Sequence, residues 1–167
     1  MSRWKGGKHG RTDSLREGGA GSVPRDAGAG ALFARLRAGR GAVALDQAAA
    51  SQINGCAYCL DMHWKDLQAI GEKEQRMYSL DAWRECPYYT ERERAALAWT
   101  EAVTLVTNGH VPDAVYEDAK THFSEKDLAD LTLAVATINA WNRLAIAART
   151  TPGTYQPTKK REMKKGA

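Results

Sequence analysis

The chain has 167 residues, 43% of them hydrophobic and 26% charged, which fits one globular domain whose core needs no disulfide staples. No apolar run approaches the roughly 18 residues that span a membrane, and the first thirty residues hold no secretory h-region, so a cytoplasmic protein with no membrane partner is expected. The net charge of +4 divides unevenly: residues 1–25 carry six Lys/Arg against Asp13 and Glu17, residues 159–167 carry five against Glu162, and the body between them carries thirteen basic and seventeen acidic residues. Nucleic acid wants a basic face on a folded element, and basic ends on an acidic body exclude it as an expected partner.

Residues 1–30 are rich in Gly, Arg and Ser, follow neither a helical nor a strand period, and read as a disordered tail. Helical patterning starts at Ala31 with Leu32, Phe33 and Leu36. Gly39 and Gly41 split it from a second helix that runs to about Gln52, alanine-rich and with little to bury. Asn54-Gly55 is a turn signal, and the next helix is predicted from about Cys56 to Ile70, with Leu60, Trp64, Leu67 and Ile70 as its apolar face and Gly71 as its stop. A short helix over Glu74–Leu80 follows, with a further turn or two before Pro87. Thr90 with Glu91 and Glu93 gives an N-cap and an acidic first turn. That helix should bury Ala95, Leu97, Ala98, Ala102 and Leu105 and end near Asn108-Gly109. Pro112-Asp113 opens a short helix through Ala119. Ser124 with Asp127 caps the most apolar helix, from Glu125 to about Arg149, and Pro152-Gly153 ends it. The basic tail over 158–167 reads as disordered. No stretch alternates as a strand does, so the expected fold class is all-α, one domain over residues 31–157.

The chemistry concentrates in SQINGCAYCLDMH, Ser51 to His63. Cys56 and Cys59 are three residues apart, and on a helix Cys59 and His63 form an i, i+4 pair on one face. A thiol is inert until ionised, with an ordinary pKa of about 8.5. Cys59 in the first helical turn would have its anion favoured by the helix dipole, and His63 is placed to accept its proton. These parts suit a peroxide-reducing cycle, in which a thiolate becomes a sulfenic acid and the neighbouring thiol captures it as a disulfide. Two plainer readings stay open. Cys56, Cys59 and His63 could supply three zinc ligands, with Cys86, His110 or His122 as an isolated fourth, but no second C-x-x-C exists to complete the usual structural site. The pair could also be a structural dithiol on a packed helix. Tyr58 reads as packing, with a hydroxyl able to join a proton relay.

The motif resembles the core of the AhpD-like alkylhydroperoxidases, within the carboxymuconolactone decarboxylase superfamily. DAWRECPYYTERERAALAWTEAVTLV, HVPDAVYEDAKTHFSEKDLADLTLAV and INAWNRLAIAART resemble it in the same order, from about Ser51 to Pro157. The resemblance implies an all-α homo-oligomer, a trimer or hexamer, with thiol-dependent peroxidase activity, a peroxide substrate, a thiol or dithiol electron donor, and no cofactor or metal. It casts Cys59 as the peroxide-attacking cysteine, Cys56 as the resolving one and His63 as the relay histidine, with Tyr58 where some relatives have a second one. Cys86 receives no role. The family's relay glutamate falls on Ala44, and Asp46, the nearest carboxylate, is expected on a different side of the helix. Residues 1–50 do not resemble the family's two-helix lead-in, which points to a divergent N-terminus or a misread start. The alternatives are a redox-responsive or structural oligomer that lost turnover with its glutamate, and a lactone decarboxylase-type enzyme, which needs no thiol pair.

Overall fold

Small side chains decide the centre of the molecule. In the computed structural model, which describes residues 42–157, the alanine-rich run forms helix α1 (Ala42–Ile53). The tails expected over 1–30 and 158–167, and the helix expected from Ala31, lie outside the described residues. Around α1 stand α2 (Ala57–Ala69), α4 (Glu91–Thr104) and α6 (Glu125–Ala147), and α1 packs against all three. The expectation that α1 has little to bury is corrected here. Ala48, Ala50 and Ser51 have no exposed surface at all. Side chains without bulk let neighbouring helices come close on several sides, so the residues that looked uninformative make α1 the hub.

The remaining elements follow local rules. Among the described residues there are six α-helices, a 3-10 turn over Leu80–Ala82, and no strand. Asn54-Gly55 ends α1 in a Schellman arrangement: Gly55 takes φ +67, its N–H bonds the Gln52 carbonyl, and the Cys56 N–H bonds the Ser51 carbonyl, both at 3.0 Å. Cys56 is thereby both the residue that closes α1 and the N-cap of α2. Gly71, at φ +85, closes α2 in the same way, through Gly71 N–H to Gln68 and Glu72 N–H to Leu67, each 3.0 Å. The short helix α3 (Glu74–Tyr78) holds Arg76. Its guanidinium bonds Glu93 at 2.6 Å, Glu72 at 3.0 Å and the Tyr88 carbonyl, and lies over the Tyr89 ring. Thr90 and Glu93 form a full capping box at the start of α4.

Two apolar clusters hold these parts. One gathers Leu45, Ala48, Leu67, Leu80, Trp83 and Leu97 where α1, α2 and α4 meet the 3-10 turn. The other joins α4 and α6 to α5 (Asp113–His122) through Trp99, Ala119, Leu128, Leu131 and Val135. Within α4 the inward face includes Trp99, Thr100 and Thr104, while Leu105, expected inside, is exposed at the helix end. Beyond α6, the Lys65 ammonium bonds the carbonyls of Gly153 and Tyr155, and the Tyr155 hydroxyl donates to Asp66 at 2.8 Å, so the segment after Pro152-Gly153 straps the outer side of α2.

Candidate functional site

The dithiol sits where α1 turns into α2. Cys56, at the N-cap, has extended backbone (φ −85, ψ 94), and Cys59 lies in the first turn of the helix. Both are free thiols, 1% and 2% exposed, and Cys56 donates to the Cys59 sulfur across 2.7 Å. His63 follows one turn on and is also buried. The inward stripe of α2 is Cys59, His63 and Leu67. The predicted apolar face is therefore rotated: Leu60 and Trp64 are only half-buried and Ile70 is exposed. A one-turn period fits either stripe, and what selects this one is the tertiary contact with α1, not hydrophobicity along α2.

Enclosure changes the acidity expected of Cys59. Burial away from water, reinforced by the proton that Cys59 shares with the neighbouring Cys56 sulfur, pushes its thiol up to about 12, although a contact with the Asn142 side chain pulls the other way. The helix start does not outweigh desolvation, because a sulfur anion sealed from water loses more hydration than the first-turn N–H groups return.

The other relay candidates are placed differently. Ala44 is half-buried and packs on the first apolar cluster, a hydrocarbon surface where the resemblance puts a carboxylate. Asp46 is buried, and its carboxyl is held well above the usual range, first by burial and then by the nearby Glu93 carboxylate, against the opposing pull of Arg92. Tyr58 is half-buried. Cys86 is half-buried among Arg84, Pro87 and Arg94, away from the dithiol. Among the described residues no group of three or more His, Cys, Asp or Glu stands together as a metal site. A cleft of about 350 Å³, walled by Gln52, Ile53, Leu60, Trp83 and Leu97, opens beside the α1–α2 pair, and the cysteines are not part of its wall.

What the sequence reading missed is a layer of amides against the thiols. Asn142 is fully buried on α6. It donates to Ser51 Oγ at 3.0 Å and accepts from Asn54 Nδ2 at 2.9 Å. Asn54 also donates to Asn139 Oδ1 at 2.8 Å, and Asn139 donates to Thr104 Oγ1 at 3.0 Å. The signal was present in INAWN: two asparagines three residues apart in the most apolar helix have to find partners if buried.

Comparison with known proteins agrees with this architecture. Residues 43–102 match the model of the carboxymuconolactone decarboxylase family. A solved structure from Agrobacterium tumefaciens, of unknown function and provisionally named as the antioxidant defence protein AhpD, superposes with a TM-score of 0.74 at 34% identity, over 87% of this chain and 99% of that one. This chain is an AhpD-like member of the carboxymuconolactone decarboxylase family. The AhpD-like chain is also 47% identical over 97 residues to the uncharacterized protein YdfG of Bacillus subtilis, 58% of this chain and 66% of that protein. It spans just under two thirds of that relative's length. The core of an AhpD alkylhydroperoxidase, an uncharacterized peroxidase-related protein from Ralstonia eutropha, shares the fold at a TM-score of 0.62 and 23% identity, over 74% of this chain and 70% of that one. The family match begins at residue 43, so the change of character expected near Ser51 is corrected: α1 belongs to the family domain.

Proposed function

We propose that the protein is a thiol-dependent peroxidase that reduces hydrogen or organic peroxides through Cys56 and Cys59. The observation that carries this is the pair of reduced thiols 2.7 Å apart at a helix start, with His63 one turn on. His63 takes the Cys59 proton. The thiolate attacks the distal peroxide oxygen, the O–O bond breaks, and the alkoxide or hydroxide leaves and is protonated. Cys56 then attacks the Cys59 sulfenic acid, releasing water and forming the disulfide. Two electrons from a thiol or dithiol carrier restore both thiols. The names of relatives, a provisional antioxidant defence protein and a peroxidase-related AhpD core, support the same class. The test is peroxide consumption with a dithiol donor. Cys59→Ser should lose turnover entirely, and Cys56→Ser should stall after one equivalent. Full activity in both variants sinks the proposal.

A second reading has its own support in the enclosure of Cys59, whose thiol is pushed up to about 12. On that reading the pair responds to oxidant without cycling. A single round of thiol loss, with no further peroxide consumed under excess reductant, would select it.

A further inference from the structure

The two cysteines are not held in the same way. Cys59 is fixed by the first turn of α2, whereas Cys56 stands on the short connection Asn54-Gly55-Cys56 between α1 and α2. The backbone bonds of that connection run only to the two helices it joins. Asn54 N–H bonds the Ala50 carbonyl, Gly55 N–H the Gln52 carbonyl and Cys56 N–H the Ser51 carbonyl, each at 3.0 Å, and Leu60 N–H bonds the Cys56 carbonyl at 2.9 Å. These bonds set its local shape, but a connection with Gly55 at its centre stays pliable unless something outside takes hold of it. The hold is on Asn54. Its Nδ2 shares two hydrogens among three oxygens: the Ala50 carbonyl at 2.9 Å, Asn139 Oδ1 at 2.8 Å and Asn142 Oδ1 at 2.9 Å. Asn139 and Asn142 are buried neighbours on one face of α6. Asn139 directs its own amide N–H groups to Thr104 Oγ1 at 3.0 Å and the Val135 carbonyl at 2.9 Å, and Asn142 directs one to Ser51 Oγ at 3.0 Å. Both therefore present oxygen to Asn54.

We propose that Asn54 is a positioning residue of the dithiol: by clamping the α1–α2 connection to α6, it holds the Cys56 sulfur 2.7 Å from the Cys59 sulfur and favours the disulfide over the dithiol. The purpose rests on the peroxidase reading, in which Cys56 resolves the Cys59 sulfenic acid, but the effect is on the thiol pair alone and is testable without peroxide. In the couple concerned, the two thiols give two electrons and two protons to an oxidised dithiol carrier as their S–S bond forms and the carrier's breaks. A pair already held together loses little freedom on closing, so each sulfur meets the other at high effective concentration. Released from α6, the reduced sulfurs can drift apart while the bonded ones cannot, and the equilibrium moves towards the dithiol.

The experiment equilibrates the full-length chain with mixtures of reduced and oxidised dithiothreitol at constant pH and reads the Cys56–Cys59 state by alkylation and peptide mass spectrometry. Asn54→Ala removes the clamp at a half-buried turn position. Its equilibrium constant should shift about tenfold towards the dithiol, a potential about 30 mV less negative. Leu131→Ala, in the cluster that joins α4, α5 and α6, is the control for general loosening. It destabilises both redox forms alike and should leave the potential where it is. A merely structural Asn54 would behave as Leu131 does. An unshifted potential in folded Asn54→Ala, a shift towards the disulfide, or an equal shift in Leu131→Ala overturns the proposal. If circular dichroism shows Asn54→Ala unfolded, Asn54→Ser decides in its place, and loss of folding in both makes Asn54 a structural residue and overturns the proposal too. Failure of the peroxidase reading is separate: it appears as undiminished turnover in Cys59→Ser and leaves these potentials untouched.

Discussion

Two acids at this site are shaped by burial more than by neighbours of opposite charge. Cys59, pushed up to about 12, lies far above neutral pH, so its ionised fraction grows about tenfold per pH unit below that value. Alkylation at Cys59 should therefore rise without a plateau from pH 7 to 9, and a plateau in that window would show a thiolate already formed. Asp46 carries the opposite lesson for stability. Its folded-state carboxyl is raised above the unfolded value, so the native state holds the proton more tightly. Stability attached to this group is present below about pH 3.9 and is lost as pH rises. Asp46→Asn should then stabilise the protein at neutral pH by roughly 1–3 kcal/mol, with the gain closing in acid, as thermal unfolding across pH would show. Ala44→Glu asks whether the missing carboxylate limits the rate. It should raise peroxide turnover by about tenfold or more, the low end of what general acid–base groups contribute being about 10². No gain in a folded variant would mean that proton transfer already proceeds by another route.

Helix ends, more than helix interiors, place the functional groups. Gly55 adopts φ +67 with open space where a Cβ would stand, so Gly55→Ala costs backbone strain and not collision. About 1–2 kcal/mol is expected from denaturant unfolding. Because the same turn makes Cys56 the N-cap of α2, the variant should also slow disulfide formation between Cys56 and Cys59. On the far side, Arg76 ties α3 to the cap of α4 through Glu93. Burial alone would raise the Glu93 carboxyl, but its bonds to Arg76 and Thr90 prevail and hold it below the usual range. A lowered carboxylate stabilises above its unfolded pKa and loses that contribution as pH falls through the folded one. Arg76→Ala should cost about 2–3 kcal/mol at pH 7, since it strands a largely buried carboxylate, and the cost should shrink towards pH 3. A pH-independent loss would mean that packing over Tyr89 matters more than charge.

At the scale of the whole molecule, α6 has two lives. Its inner side supplies Leu131, Val135 and the asparagines, while Leu133 and Leu144, on one outer face, are 51% and 47% exposed. The homo-oligomer proposed from the family resemblance would give this face a cover. Leu144→Glu should then lower the mass seen by sedimentation at micromolar concentration, and an unchanged mass would place the interface elsewhere. No helix among the described residues is long and apolar enough to cross a membrane.

Local chemistry was legible along the chain. The caps at Thr90 and Ser124, the stops at Gly55 and Gly71, the all-α class, and the i, i+4 spacing of Cys59 and His63 each rest on residues within one or two turns of each other, where backbone geometry alone acts. Burial was not legible, because it depends on which surfaces meet. Nothing in α2 says that Cys59, His63 and Leu67 turn inward instead of Leu60, Trp64 and Ile70. Nothing in AVALDQAAAS says that a helix with so little side chain becomes the most enclosed one. The bond from Asn142 to Ser51 joins residues 91 apart in sequence. The sequence by itself determined the helices and the reactive residues; only the tertiary structure decided that the thiols are sealed from water, which raises Cys59, and that buried amides of the last helix bond Ser51 and Asn54 at the turn that carries them.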